Sequence, residues 1–262
     1  MLTTTIHSHK MAFSEKGSGP PLLVLHGLTG NRHMFDEETR ILKKYFRVIA
    51  PDFRGHGDSD RPSSYTLDDL IEDIVALIDY LELPTVYLLG VSMGSYVAQG
   101  VAIRLGDRVE RLVLVATKST GKTSAMQALF EKHGDELNGL SHNAKLLKAS
   151  KYMYHDLQAV GKWSKEAAKK SEPMSAEQIE AANQALTEFD FTPDLSKITA
   201  ETLVISGDHD QLNPPEEARE TARLIPHATF AEFNQSGHAP NVEQRMLFLD
   251  FVLEFLGVER TT

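Results

Sequence analysis

The residues best placed to do chemistry are a serine, two aspartates and a histidine, each just beyond an apolar run of strand length. Ser92 sits in Gly90-Val91-Ser92-Met93-Gly94, between the apolar run 85–89 and a helix-like stretch 95–104. A serine in such a strand–turn–helix elbow is held on a sharply bent backbone with its hydroxyl exposed at the strand end. The flanking residues must be small because strand and helix pass close to each other, and Gly90 and Gly94 meet that need. A serine hydroxyl is a poor nucleophile at neutral pH. It needs a base to take its proton, a group to orient that base, and donors for the oxyanion that attack on a carbonyl creates. His238, in Gln235-Ser236-Gly237-His238-Ala239-Pro240, follows the last apolar run and is the expected base. His209 is its nearest rival, while His26 and His56 lie in glycine-rich turns where structural hydrogen bonding is the plainer expectation. No carboxylate follows the run 111–116 until Glu131, whereas Gly207-Asp208-His209-Asp210 follows the run 202–206 and offers two.

Those side chains need a scaffold that gathers the ends of several strands. The runs 22–25, 46–51, 85–89, 111–116, 202–206 and 228–233 are near-continuously apolar, as suits strands buried on both faces of a parallel sheet. Between them lie helical patterns at 34–42, 65–83, 95–104, 214–224 and 241–256. In 65–83, Leu67, Leu70, Ile71, Ile74, Ile78 and Leu81 recur at helical spacing and Thr66 can cap the start. This alternation predicts a doubly wound parallel sheet, whose sites gather at the carboxyl ends of the strands. Residues 2–14 alternate loosely and suit an edge hairpin. From 119 to 197 no buried strand is expected. That stretch is polar, rich in lysine and alanine, and reads as helices at 123–133, 144–158 and 175–186.

The bulk composition narrows the class. The 262 residues suffice for one sizeable core, and the formal net charge of -10 disfavours nucleic acid and anionic membrane surfaces. With no cysteine, disulfides, thiolate metal sites and cysteine nucleophiles are excluded. No apolar run is long enough to span a membrane, and no basic segment leads into an apolar one at the amino terminus. A soluble cytoplasmic protein is the simplest expectation.

The order Ser92, aspartate, His238 matches a known constellation. The chain resembles the α/β-hydrolases through the His26-Gly27 turn, Asp52-x-Arg54-Gly55-x-Gly57-x-Ser59, the elbow, Gly207-x-x-Asp210 and Gly237-His238. The likeness extends over nearly all of the chain outside 119–197. It implies the α/β-hydrolase fold: a mostly parallel central sheet, helices on both faces and a helical cap insertion. The expected division is 1–118 for the first part of the core, 119–197 for the cap and 198–262 for the second part of the core. The resemblance favours Asp210 as the acid and leaves Asp208 to tie down the turn. It implies two oxyanion donors, the backbone amides of Leu28 and Met93, and it requires no metal or organic cofactor. It also implies that the 52–59 loop is scaffolding, with Arg54 and Asp58 in local ion pairs.

Within the superfamily the core is similar to small carboxylesterases and to 3-oxoadipate enol-lactonases, the latter through Tyr65-Thr66-Leu67 and the stretch from Gly237-His238-Ala239-Pro240 to Gln244. A small-molecule ester is therefore the expected substrate, with a lactone as the alternative. Other relatives are receptors that retain the triad, or cofactor-free oxidases and haloperoxidases. The latter usually carry an aromatic residue beside the oxyanion hole, where this chain has Leu28 and Met93. Cap residues such as Met126, Tyr152, Met153, Tyr154 and Trp163 either line an acyl pocket or pack the cap. The cap lysines, among them Lys145, Lys148, Lys151, Lys162, Lys165, Lys169 and Lys170, suit a solvated helix face.

Overall fold

Strands with apolar side chains on both faces need cover on both faces, and the chain supplies it by crossing over after each strand. The computed structural model describes residues 1–122 and 124–258. Thr123, where the sequence starts the first cap helix, and 259–262, the end of the expected second core part, lie outside them. An antiparallel hairpin, β1 (Leu2–Ile6) and β2 (His9–Lys16), leads into β3 (Pro21–Leu25), α1 (Asp36–Leu42), β4 (Arg47–Pro51), α2 (Leu67–Tyr80), β5 (Val86–Val91), α3 (Met93–Leu105) and β6 (Val109–Val115). A segment follows with β7 (Thr120–Gly121), α4 (Ala125–Lys132), α5 (Gly134–Leu137), α6 (His142–Met153), α7 (Leu157–Ala168), α8 (Ala176–Gln184) and β8 (Phe189–Asp190). The core resumes with β9 (Glu201–Gly207), α9 (Pro215–Leu224), β10 (Ala228–Phe233), α10 (Pro240–Glu243) and α11 (Arg245–Phe255).

The main sheet has eight strands in the order β1-β2-β4-β3-β5-β6-β9-β10. β4, β3, β5, β6, β9 and β10 run parallel, and β2 alone runs antiparallel, to β4 on one side and to β1 on the other. The two-residue side-chain period splits the core into two layers. Leu23, Leu25, Leu88, Leu112, Leu114 and Val204 pack against α2, α3 and α9. Leu22, Val24, Leu89, Val113 and Ile205 pack against α1 and α11, where Phe248, Leu249 and Val252 meet them. α2 begins where expected: Thr66 accepts from the Asp69 amide and Asp69 reaches back to the Thr66 amide. No helix among the described residues is long and apolar enough to cross a membrane.

Three elements differ from the sequence reading. The helix expected over 144–158 is broken: α6 stops at Met153, and Asp156 starts a new helix by accepting from the Gln158 and Ala159 amides. The helix expected over 241–256 bends at Gln244, whose Oε1 instead accepts from the Gln235 amide and the Ser236 hydroxyl, 3.0 Å each. Between β6 and β9 the chain also forms a short antiparallel ladder, β7 with β8, because Phe189 closes over Gly121.

Candidate active site

Ser92 links β5 to α3 at φ 53°, ψ −120°, left-handed backbone that a side chain rarely adopts. Both elbow glycines are forced by contact. A Cβ on Gly90 would strike the Gly94 carbonyl, and one on Gly94 would strike the Leu25 carbonyl of β3. The elbow is anchored to the next strand by the Ser92 amide, which donates to Val115 O at 2.9 Å.

The structure brings Ser92, His238 and Asp210 together. Ser92 Oγ lies 2.8 Å from His238 Nε2, and His238 Nδ1 lies 2.7 Å from Asp210 Oδ2. Ser92 is partly exposed, whereas His238 and Asp210 are buried. The carboxylate forces the tautomer: with Nδ1–H donating to Asp210, Nε2 is free to accept the serine proton. Asp210 Oδ1 accepts from the Leu212 and Asn213 amides at 2.8 and 3.0 Å, so this one side chain both orients the imidazole and ties down its own turn. That corrects the expectation for Asp208, whose side chain is exposed. His209 is also exposed and stacks on His155, 4.4 Å between ring centres, away from the serine.

The loop after β3 lies beside the elbow, since a Cβ on Gly27 would sit 3.6 Å from Ser92 Cβ. Leu28 follows in a turn closed by the Gly30 amide on Gly27 O, 3.0 Å. Met93 opens α3, so its amide is one of the first-turn N–H groups without an intrahelical acceptor. Met93 thus follows the serine directly, and the loop that carries Leu28 approaches the serine at Gly27. His26 braces this loop. Its Nδ1 donates to Gly27 O at 2.8 Å and its Nε2 accepts from the Phe53 amide at 3.2 Å. Burial pushes its imidazole down to about 4, which keeps it neutral. His56 is buried likewise, and its imidazole is pushed down to about 3. Neither histidine touches Ser92.

The 52–59 loop is held by buried charge. The Asp52 carboxylate takes the Arg32 guanidinium and amide and the Asp58 amide, and Arg32 also pairs with Asp58 at 2.7 Å. Arg54 forms a bidentate pair with Asp73 of α2, 2.7 and 2.6 Å. Both pairs reach farther along the chain than local contacts would.

Several residues that hold the site carry no strong signal in the sequence. Glu243 Oε2 accepts from the Gly237 and Ala239 amides on either side of His238, and its Oε1 accepts from the His155 and Asp156 amides. The end of α6 adds two backbone bonds. The His238 amide donates to Met153 O at 2.6 Å and the Gln211 amide to Tyr152 O at 3.0 Å. Tyr154 faces the His238 ring edge-on, 6.4 Å between centres. Met126, Leu129, Phe130, Tyr152 and Met153 pack with one another, and Trp163 packs on Val242 while its Nε1 donates to Met34 O. Of the aromatic candidates, Tyr154 is therefore the one set against the triad. Among the lysines, Lys151, Lys169 and Lys170 are tied to Glu136, Glu166 and Asp36.

A parallel sheet, a strained serine at the end of β5, and an aspartate and a histidine from the loops after β9 and β10 define the hydrolase class of doubly wound folds. Residues 20–244 match the family described as alpha/beta hydrolase fold, and the chain belongs to it. It is 30% identical over 235 residues to 3-oxoadipate enol-lactonase 2 of Acinetobacter baylyi, spanning 87% of this chain and 85% of that protein. Among solved structures it is similar to a thermophilic esterase from Thermogutta terrifontis (TM-score 0.81, 28% identity, 97% of this chain and 96% of that one). An esterase from Exiguobacterium antarcticum is similar to the same degree (TM-score 0.81, 27% identity, 97% and 98%).

Proposed function

We propose that the protein is a serine hydrolase that cleaves carboxylic esters of small molecules through an acyl-enzyme on Ser92. The observation that carries this reading is the unbroken line Ser92 Oγ, His238 Nε2, His238 Nδ1, Asp210 Oδ2, with links of 2.8 and 2.7 Å. Ser92 Oγ attacks the ester carbonyl as His238 takes its proton, and the carbonyl electron pair moves onto the oxygen. The Leu28 and Met93 amides hold that oxyanion. As the intermediate collapses, protonated His238 gives its proton to the departing alcohol. Water then repeats the sequence on the acyl-enzyme with the same base, releasing the carboxylic acid. Asp210 keeps the imidazole in the working tautomer throughout. The steps use only these groups, without metal or organic cofactor.

Residues 119–197 act in this reading as a cap that sets the substrate. Its support is the set of bonds from Tyr152, Met153, His155 and Asp156 to the Asp210 and His238 loops. Lactone opening is a second reading, favoured by the 30% identity to an enol-lactonase. A lactone needs the same attack, but its alcohol stays tethered to the acyl group.

Labelling with a fluorophosphonate, followed by peptide mapping, tests the nucleophile. The expected adduct is on Ser92 in the wild type and absent from Ser92→Ala. A parallel panel of p-nitrophenyl esters and lactones ranks the two substrate classes. Equal inactivity of wild type and Ser92→Ala across the panel, without labelling, would overturn the hydrolase reading.

A further inference from the structure

The loop that carries Leu28 is strained at the very next residue. Thr29 has φ 57°, in the left-handed region that a side chain disfavours. Such backbone persists only where its surroundings leave it no alternative. Part of the hold comes from the core. His26 braces Gly27, the Gly30 amide closes the turn on Gly27 O, and a Cβ on Gly30 would strike the Met34 sulfur.

The rest comes from α7, through Asn31. This side chain is buried just beyond the strained residue. Its Oδ1 accepts from the His33 amide at 2.9 Å and caps the short turn Arg32–Phe35. Its Nδ2 donates to Ala167 O in the last turn of α7, at 3.2 Å, and to Ser171 Oγ, at 2.9 Å. Both donors and the acceptor are thus committed, and the amide is a fixed link between the loop and α7. Trp163 of the same helix runs a parallel bond to Met34 O at 2.8 Å. The other end of α7 is held by Glu243, beside His238. One helix therefore joins the loop of the base to the loop of Leu28.

We infer that Asn31 is a positioning residue for the oxyanion hole: its bonds to α7 keep Thr29 left-handed and so keep the Leu28 amide turned toward Ser92. The assignment rests on the serine-hydrolase reading above, in which that amide holds the oxyanion. Without the link, Thr29 relaxes to ordinary negative φ, and Leu28 rotates relative to the chain behind it. An oxyanion donor acts where charge develops, so its displacement weakens transition-state binding and spares binding of the neutral ester. Complete loss of one donor costs about 10²–10³ in rate. A loop that still visits the held conformation loses part of that.

Asn31→Ser keeps an oxygen to cap the turn and removes both donors to α7. Fluorophosphonate labelling carried to completion counts the active sites. Per site, kcat and kcat/KM for p-nitrophenyl acetate should fall together by about 10–100-fold, with KM unchanged. The Ki of a methyl trifluoromethyl ketone, whose adduct with serine carries an oxyanion, should rise by the same factor. Adding Thr29→Gly, which makes left-handed backbone free of strain, should recover most of both losses. A role in stability alone would lower the count of labelled sites and leave kcat per site and Ki at wild-type values. That result would overturn the assignment, as would a loss that Thr29→Gly does not recover. A wild type that neither labels nor turns over any ester would instead remove the hydrolase reading.

Discussion

The backbone amide of His238 donates to the Met153 carbonyl at 2.6 Å, so the proposed base hangs from the last turn of α6. Glu243 reinforces the join with two bonds to the His238 loop and two to the start of α7. The loop carrying the base and the helices over it thus move together or not at all. The Gly237 position shows how close the contact is, since a Cβ there would strike the Met153 carbonyl.

Glu243→Ala is expected to loosen both sides of this join. A hydrogen bond to a charged group contributes about 1.5–3 kcal/mol, and the four amides would be left to water. The expected outcome is a kcat lower by about 10–100-fold, with faster proteolytic nicking near 154–156. Limited proteolysis and steady-state kinetics on one preparation check it. Wild-type values in both would show that the α6 contacts suffice alone.

Ser92 stores backbone strain, at φ 53° on a residue with a side chain. Such strain costs about 1–3 kcal/mol. Ser92→Ala and Ser92→Gly both lose the hydroxyl, but only glycine relaxes the backbone. Ser92→Gly should therefore unfold at higher denaturant than Ser92→Ala, by about 1 kcal/mol, and neither should label with a fluorophosphonate. Equal midpoints would mean that the surrounding packing removes the strain.

The parts that were legible in the sequence are those fixed by local chemistry. The strands show as apolar runs because both faces are covered, and α2 shows through its spacing and its Thr66 cap. The elbow shows because Gly90 and Gly94 have no room for a Cβ. The helix breaks at Tyr154 and Gln244 are another matter. Asp156 as a cap is visible in the sequence only to a reader who already expects a helix to start there. Gln244 bends its helix through bonds to Gln235 and Ser236, which only the folded chain brings near. Glu243 escaped for the same reason, since it acts through partners that spacing does not reveal.

Arg54 and Asp73 form a buried, bidentate pair that ties the 52–59 loop to α2. Asp73→Ala leaves the buried Arg54 guanidinium with only the partly exposed Asp69 carboxylate, 3.4 Å away, so it should destabilise the fold by about 3 kcal/mol. An apolar pair, Arg54→Met with Asp73→Leu, should recover much of that loss. Urea unfolding of the three proteins decides it. If Asp73→Ala cost no more than the double substitution, water would have to reach Arg54, and the loop would be less tightly packed than its contacts indicate.

Glu38, at the start of α1, is the buried acid whose ionisation the fold opposes. Burial pushes its carboxyl up to about 7, while the Arg245 charge and the Asn241 amide offset the effect only in part and Glu37 adds to it. Glu38 Oε1 accepts from Asn241 Nδ2 at 3.2 Å, and Arg245 Nε stands 3.9 Å away. Glu38 Oε2 and Asn241 Oδ1 are both buried acceptors without a donor. A neutral carboxyl has no charge to desolvate. In the unfolded chain Glu38 titrates near 4.5, so between there and about 7 the folded protein holds a proton that the unfolded chain has released. Stability from this residue is complete below 4.5, falls as pH rises through that window, and is lost above it, a change of about 3 kcal/mol. Glu38→Gln carries an amide donor at every pH and has no charge to bury. It should match the wild type at pH 4.5 and exceed it at pH 8 by up to that amount, read from urea unfolding at the two pH values. A wild type whose lead or deficit against Glu38→Gln is the same at both would mean that Glu38 stays charged beside Arg245.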